Sequence, residues 1–259
     1  LEFASAARKA LPREREIGTF FGYFLVSDGH QVSFGHLDYS RVFASPDIDF
    51  FIAPGNYTDR AIGAGCGSQL VLGSARLAGK RCLHEIDFWP HGSRWNRHWK
   101  TVEDDLAGNT REWAFAAAHD MSHWWFDMWG GFYDDPRVRA RIAKLEEIQK
   151  TLVPAPSVAE ILYVVDPESL CHMNENDPKF RQFVYDEYNQ LLRVDAPSDV
   201  YSFDDLGRID FSRYRLVVMN STVLITPERA KLLRERVCRD GRTVVWSLAP
   251  GVTDGRTLD

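Results

Sequence analysis

The chain has 259 residues, 44% of them hydrophobic and 26% charged, with a formal net charge of −6. That is enough chain and apolar content for one large α/β domain or a barrel piece plus a second domain. The acidic balance offers no basic face to a nucleic-acid backbone, and no run of about 20 apolar residues offers a membrane span, so a soluble, cytoplasmic protein is the expectation. Four cysteines, Cys66, Cys82, Cys171 and Cys238, are scattered without a CxxC pair. They read as core or free thiols, not as a zinc knuckle or disulfide framework.

The chain opens on a helical pattern, "LEFASAARKALPRERE", with no start signal before it. This reads as a segment of a longer protein, with a processed or cloned N-terminus as the alternative. Four strand-like runs follow: 16–25 (EIGTFFGYFL), 47–57 (DIDFFIAPGNY), 81–90 (RCLHEIDFWP) and 122–131 (SHWWFDMWGG). Helical patterns lie between them. In 68–80, Leu70, Val71, Ser74 and Leu77 share a stripe; in 109–121, Trp113, Ala117 and Met121 do. Strand, loop, helix, strand at this pitch predicts a parallel βα repeat. The strands are apolar on both sides of the pleat, which suits a sheet covered by helices. The loops after the strands are long and rich in polar and aromatic residues, whereas the returns are short. That asymmetry is the functional pattern of a (β/α) barrel.

A helix follows, with Val138, Ile142, Leu145 and Ile148 on one side, and it ends at a proline-containing linker, Pro154 to Ser157. The second half alternates anew: strand 159–167, helix 177–194, strands 199–206 and 214–222, helix 226–241 and strand 242–251. Thr226 is a good N-cap, Pro227 suits the first helical position and Gly241 the stop. This half reads as an open doubly wound sheet. The domains are expected at 1–153 and 158–259.

Strand 81–90 carries the residues of most chemical interest. Alternation puts Leu83, Glu85, Asp87 and Trp89 on one face and Cys82, His84, Ile86 and Phe88 on the other. The second face suits packing on helices. The first, with two carboxylates and an indole, suits a barrel mouth, where a carboxylate can act as nucleophile or general base. The competing reading is a surface Glu just beyond the strand. In 122–131, Trp125, Asp127 and Trp129 share one face, and indoles beside carboxylates suit a sugar; Trp124 and Phe126 read as core. "IGAGCGS" (62–68) opens a helix with Glu85 downstream, but it does not follow its strand directly and lacks the third glycine of a dinucleotide loop. His84, Glu85 and His91 lack metal-site spacing, since Phe88 stands where HExxH needs histidine.

The stretches "SPDIDFFIAPGNYTDR", "CLHEIDFWPH", "WWFDMWGGFYDDP", "ILYVVDPES" and "YRLVVMNSTVLITPERAKLLRERVCRDGRTVVWSLAPG" resemble the beta-galactosidase-like glycoside hydrolases related to family 42. The resemblance covers nearly the whole chain. It implies the C-terminal half of a (β/α)8 TIM barrel, strands 5–8, followed by a flavodoxin-like domain used in trimerisation. It further implies a retaining β-glycosidase acting on galactosides, with Glu85 as nucleophile at the end of strand 7. Tyr57, Asp87, Trp89, Asp127 and Trp129 are then the sugar-binding residues. No cofactor or metal is required for that chemistry. The acid/base glutamate belongs to strand 4, upstream of this chain, so the segment alone is expected to be inactive. A non-catalytic carbohydrate-binding or assembly protein on the same fold is the rival reading.

Overall fold

The computed structural model describes residues 1–23, 30–57, 60–93, 98–194 and 196–256. Helix α1 (Glu2–Ala10) leads to β1 (Gly18–Phe20), α2 (Tyr39–Phe43), β2 (Phe50–Pro54), α3 (Leu72–Leu77), β3 (Arg81–Ile86), α4 (Val102–Ala118), β4 (Ser122–Trp125) and α5 (Pro136–Gln149). The four strands form one parallel sheet in chain order, β1-β2-β3-β4. A parallel pair needs a crossover, and α2, α3 and α4 lie in the three connections.

Residues in register across parallel strands share a face. Thr19, Phe51 and Cys82 align, as do Ala53, His84 and His123. On this face Phe51, Ala53, Cys82 and His84 are buried. The opposite row runs Phe20, Ile52, Leu83 and Ser122. Its ends are exposed and its middle half-buried, and Phe20 keeps 45% of its surface accessible. One face of the sheet is therefore covered by helices, and the other is open.

Several predicted lengths are also corrected. The strands end earlier than expected, at Phe20, Pro54, Ile86 and Trp125; Phe24 and Leu25 of the first predicted run lie outside the described residues. The helix expected over 68–80 is only Leu72–Leu77, because Ser68 bridges back to Gly55 and its hydroxyl accepts from the Leu70 amide. Helix α4 begins seven residues before its predicted start of 109, where Thr101 and Asp104 form a reciprocal capping box.

The second half comprises β5 (Ile161–Val165), α6 (Pro167–Leu170), α7 (Pro178–Phe180), a π-helical turn (Arg181–Asp186), α8 (Glu187–Leu191), β6 (Ser198–Ser202), β7 (Leu216–Met219), α9 (Pro227–Leu232) and β8 (Thr243–Trp246). The strands form a second parallel sheet in the order β6-β5-β7-β8. Thr226 caps α9 and Pro227 opens it, as the sequence predicts. Gly241 takes φ of 72°, the left-handed conformation that suits a glycine stop.

The two sheets share one hydrophobic cluster. Tyr39, Phe43, Phe51 and Leu70 from the first half join Tyr163, Leu170, Tyr185 and Val200 from the second. Helix α3 lies against β6, and the Ser202 amide donates to the Ser74 hydroxyl at 2.8 Å. Gly73 makes that approach possible: a Cβ there would stand 2.5 Å from the Val200 carbonyl oxygen. The connection between α5 and β5 is exposed, with Val153 at 83% and Val158 at 80%.

Candidate active site

Strand β3 ends at Ile86, and its last residues form the chemical centre. Glu85 aligns with Pro54 on one side and Trp124 on the other. It therefore lies on the open face of the sheet, yet it is only 5% exposed. The indole of Trp124 hydrogen-bonds its carboxylate. Burial pushes the Glu85 carboxyl up to about 7, and the neighbouring Asp87 charge adds to the rise; Arg60 and the Trp124 bond oppose it. Near neutral pH this group exists in both forms, so it can act as a carboxylate or as a proton donor.

Asp87 stands just past the strand, 3% exposed. Its carboxylate takes a charge-assisted bond from Arg60 Nη2 at 2.7 Å, and its carbonyl accepts from Nη1 at 3.3 Å. Arg60 is fixed on every side. Its Nε donates to the Asn56 carbonyl at 2.7 Å, and its own carbonyl accepts from the Trp99 indole at 3.0 Å. Its guanidinium lies over the Phe88 ring at 4.2 Å and the Tyr57 ring at 4.6 Å. Burial raises the Asp87 carboxyl above the usual range despite Arg60.

Three phenols feel the charge of the pair. Burial and the carboxylates of Asp87 and Glu85 push the Tyr57 hydroxyl up to about 12, and Tyr57 stays 46% exposed. Burial likewise raises the Tyr23 hydroxyl, assisted by Tyr57, Glu85 and Asp87, and the Tyr133 hydroxyl, assisted by Asp127, Asp87 and Glu85. Tyr133 donates to the Ile86 carbonyl at 3.2 Å, tying the loop after β4 to the end of β3.

Behind the strand, His84 points to the helices. Its Nε2 lies 3.1 Å from Glu112 Oε2 on α4, and both groups are almost fully buried. Arg111 Nε donates to the other oxygen of Glu112 at 2.9 Å. Burial opposes ionisation of Glu112, but the His84 hydrogen bond and the nearby positive groups outweigh it and hold that carboxyl low. This pair ties β3 to α4 one residue before Glu85.

The structure brings Glu85, Asp87 and Tyr57 into one electrostatic group. Trp89 lies beyond the strand and is half-buried, with its amide donating to His98 Nδ1 at 3.3 Å. Asp127 is exposed in the loop after β4 and accepts from the Phe132 amide at 3.3 Å. Trp129 is 56% exposed and lines a separate cavity with His91 and Asp105. The expected common face of Trp125, Asp127 and Trp129 is corrected, because β4 stops at Trp125. Trp125 turns to the helices and donates to Glu146 at 2.8 Å. Trp124, read from sequence as core, is instead 36% exposed and bonds Glu85. With two adjacent tryptophans, alternation alone does not say which one faces the site; pairing to β3 does. Arg60, Tyr23 and Tyr133 were also missed: Arg60 and Tyr133 sit in loops without a periodic signal, and Tyr23, inside the run expected as the first strand, lies beyond the end of β1. Among the described residues no three histidine, cysteine or acidic side chains converge as a metal site.

No family model matches the sequence, and no curated protein matches it. Solved structures do. A beta-galactosidase from Bacillus circulans sp. alkalophilus aligns over 94% of this chain with a TM-score of 0.58 and 16% identity. A GH42 beta-galactosidase from G. stearothermophilus, solved as a catalytic mutant, aligns over 93% with a TM-score of 0.54 and 16% identity. A beta-galactosidase from the psychrophilic Marinomonas ef1 aligns over 94% with a TM-score of 0.54 and 14% identity. The chain spans 37%, 38% and 41% of the length of those three structures. At these identities the likeness is one of fold: across both its sheets, this chain is built like part of a GH42 beta-galactosidase.

Proposed function

We propose that this chain is part of a retaining β-glycosidase that acts on β-galactosides or related β-glycosides, with Glu85 as the nucleophile. In this reading the first sheet is strands 5–8 of a TIM barrel, residues 1–153. Residues 158–259 are a flavodoxin-like unit that supports a trimer; the order β6-β5-β7-β8 agrees with the 2-1-3-4 start of that topology. The observation that carries the proposal is the placement of Glu85. It is a buried carboxyl at the carboxyl end of a parallel strand, on the open face, in a fold like that of beta-galactosidases.

The chemistry follows from the geometry. The Glu85 carboxylate attacks the anomeric carbon as the glycosidic C–O bond breaks and the leaving oxygen takes a proton from the general acid, and the Trp124 indole favours the ionised form of Glu85. The second carboxylate that a retaining hydrolase needs, roughly 5–5.5 Å away, comes from a strand outside this segment. Asp87 is occupied by Arg60, so its role is to hold the loop and to line the sugar site with Tyr57. Trp89, Asp127 and Trp129 serve farther out along the rim.

A 2-fluoro β-galactoside with a good leaving group tests this in the full-length protein. The expected result is one covalent sugar on the peptide containing Glu85, absent in Glu85→Gln. Labelling on Asp127 would refute the assignment. One observation favours a second reading, a carbohydrate-binding protein without turnover: a carboxyl lifted to about 7 is only partly ionised at neutral pH, and its protonated form hydrogen-bonds a sugar hydroxyl but does not attack. Saturable galactoside binding with no labelling across pH 6–9 would select it.

A further inference from the structure

The segment after β2 carries Tyr57 and Arg60 to the Glu85 group, and the second half of the chain holds it there. Asn56 Nδ2 donates to Asn189 Oδ1 on α8 at 2.6 Å, across 133 residues of sequence. Both residues are buried, 3% and 8% exposed. The Asn189 amide has one orientation, because its own Nδ2 donates to the Tyr185 carbonyl at 3.3 Å. The backbone also approaches closely. A Cβ at Gly65 would stand 2.8 Å from Leu192 Cβ, and one at Gly67 2.7 Å from Leu192 Cδ1. These two glycines let the end of α8 sit directly on the segment. Helix α4 holds its middle: Arg111 Nη1 donates to the Ala61 and Ala64 carbonyls at 2.7 and 3.3 Å.

Asn56 connects this hold to the site. Its amide donates to the Gly67 carbonyl at 3.1 Å, and its carbonyl accepts from Arg60 Nε at 2.7 Å. That bond orients the planar guanidinium, whose two outer nitrogens bond the carboxylate and carbonyl of Asp87. We propose that Asn189 is a positioning residue for the candidate active site: from the second half of the chain it fixes Asn56, and through the Asn56 carbonyl the Arg60 fork that holds Asp87 beside Glu85.

Glu85 interacts with Asp87 at its own strand end, with Arg60 and Tyr57 after β2, with Tyr23 after β1, with Tyr133 after β4 and with the Trp124 indole on β4. Arg60 is the cation among these groups, and it holds the Glu85 carboxyl lower than burial and Asp87 would leave it. Loosening Arg60 lets that carboxyl rise, so its ionised form appears at higher pH.

The inference takes its functional readout from the glycosidase reading and a second readout that is independent of it. In the full-length protein, labelling of Glu85 by the 2-fluoro β-galactoside is followed against pH for Asn189→Ala, Asn56→Ala and the double variant. Each single variant is expected to label about 2- to 10-fold more slowly at pH 6, the scale of one hydrogen bond, and as fast as the parent at pH 9. The double variant should lose no more than the single ones, because both remove the same bond. Leu233→Ala, in the core of the second sheet, destabilises the same half of the chain and should leave the pH profile unchanged. An unchanged profile in both single variants, or the same shift in Leu233→Ala, would overturn the positioning role. Thermal unfolding is the independent readout: the losses from Asn189→Ala and Arg60→Ala should be non-additive, since both act on one chain of contacts. Additive losses would overturn the proposal. Non-additive losses with no labelling of the parent at any pH would support the hold of Asn189 on Arg60 and count against Glu85 as the nucleophile.

Discussion

Removing Arg60 should destabilise this protein more than removing any surface charge. The Arg60 and Asp87 side chains are only 4% and 5% exposed. Arg60→Ala deletes the 2.7 Å ion pair, the bond to the Asn56 carbonyl and two ring contacts. It also leaves the Asp87 carboxylate buried without its cation. Breaking a buried pair in this way costs about 3–5 kcal/mol. For a chain of this size each kcal/mol moves Tm by about 2–4 °C, so the expected fall is about 6–20 °C. The loss should depend on pH. Asp87 is already raised by burial, and without Arg60 it rises further. A carboxyl whose folded pKa exceeds its unfolded value of about 3.9 keeps more protons in the folded state, so stability falls as pH rises through that window. The variant should therefore come closest to the parent near pH 4 and lag most at pH 8. Arg60→Lys should fall between, because an ammonium cannot make the forked contacts. Thermal unfolding at several pH values is the assay. An Arg60→Ala protein within about 2 °C of the parent at pH 8, or a deficit that does not change with pH, would refute the argument.

Three further outcomes are expected. Trp124→Phe removes the indole bond that lowers the Glu85 carboxyl, so the pH at which covalent labelling reaches half its maximum should move above the value near 7 expected for the parent; a downward move would count against that bond. Gly73→Ala would press a methyl against the Val200 carbonyl at 2.5 Å and the Tyr201 ring, at a cost of about 1–3 kcal/mol by denaturant unfolding, whereas Gly92→Ala, which would meet no atom within 4 Å, should lack that packing cost. Limited proteolysis should cut first within 150–160, where Leu152, Val153 and Val158 are exposed; a first cut inside 81–131 would mean that the first sheet, not the connection, is the weak element.

The alternation of strand and helix was legible because each element carries its own period. Val, Ile and Phe runs return as strands, and Thr226-Pro227 opens its helix because capping is local chemistry. Glu85 was legible for a similar reason: a carboxyl at the end of an apolar run departs from a pattern that residues 82–86 themselves set. Strand ends were not legible. Phe88, Trp89, Asp127 and Trp129 continue an alternating pattern after the hydrogen-bonded ladder has stopped, since a loop residue keeps its polarity when it leaves a sheet. The partners of the site were hidden as well. Choosing Trp124 over Trp125 needs the register of β4 on β3, and recognising Arg60 needs the fold that carries the loop after β2 onto Asp87. The sequence by itself therefore determined the order of elements and the one carboxyl of interest, through periodicity and local caps. Only the tertiary structure decided which side of each strand is open, which indole meets Glu85 and what lifts its carboxyl, because those depend on groups far apart in the chain and close in space.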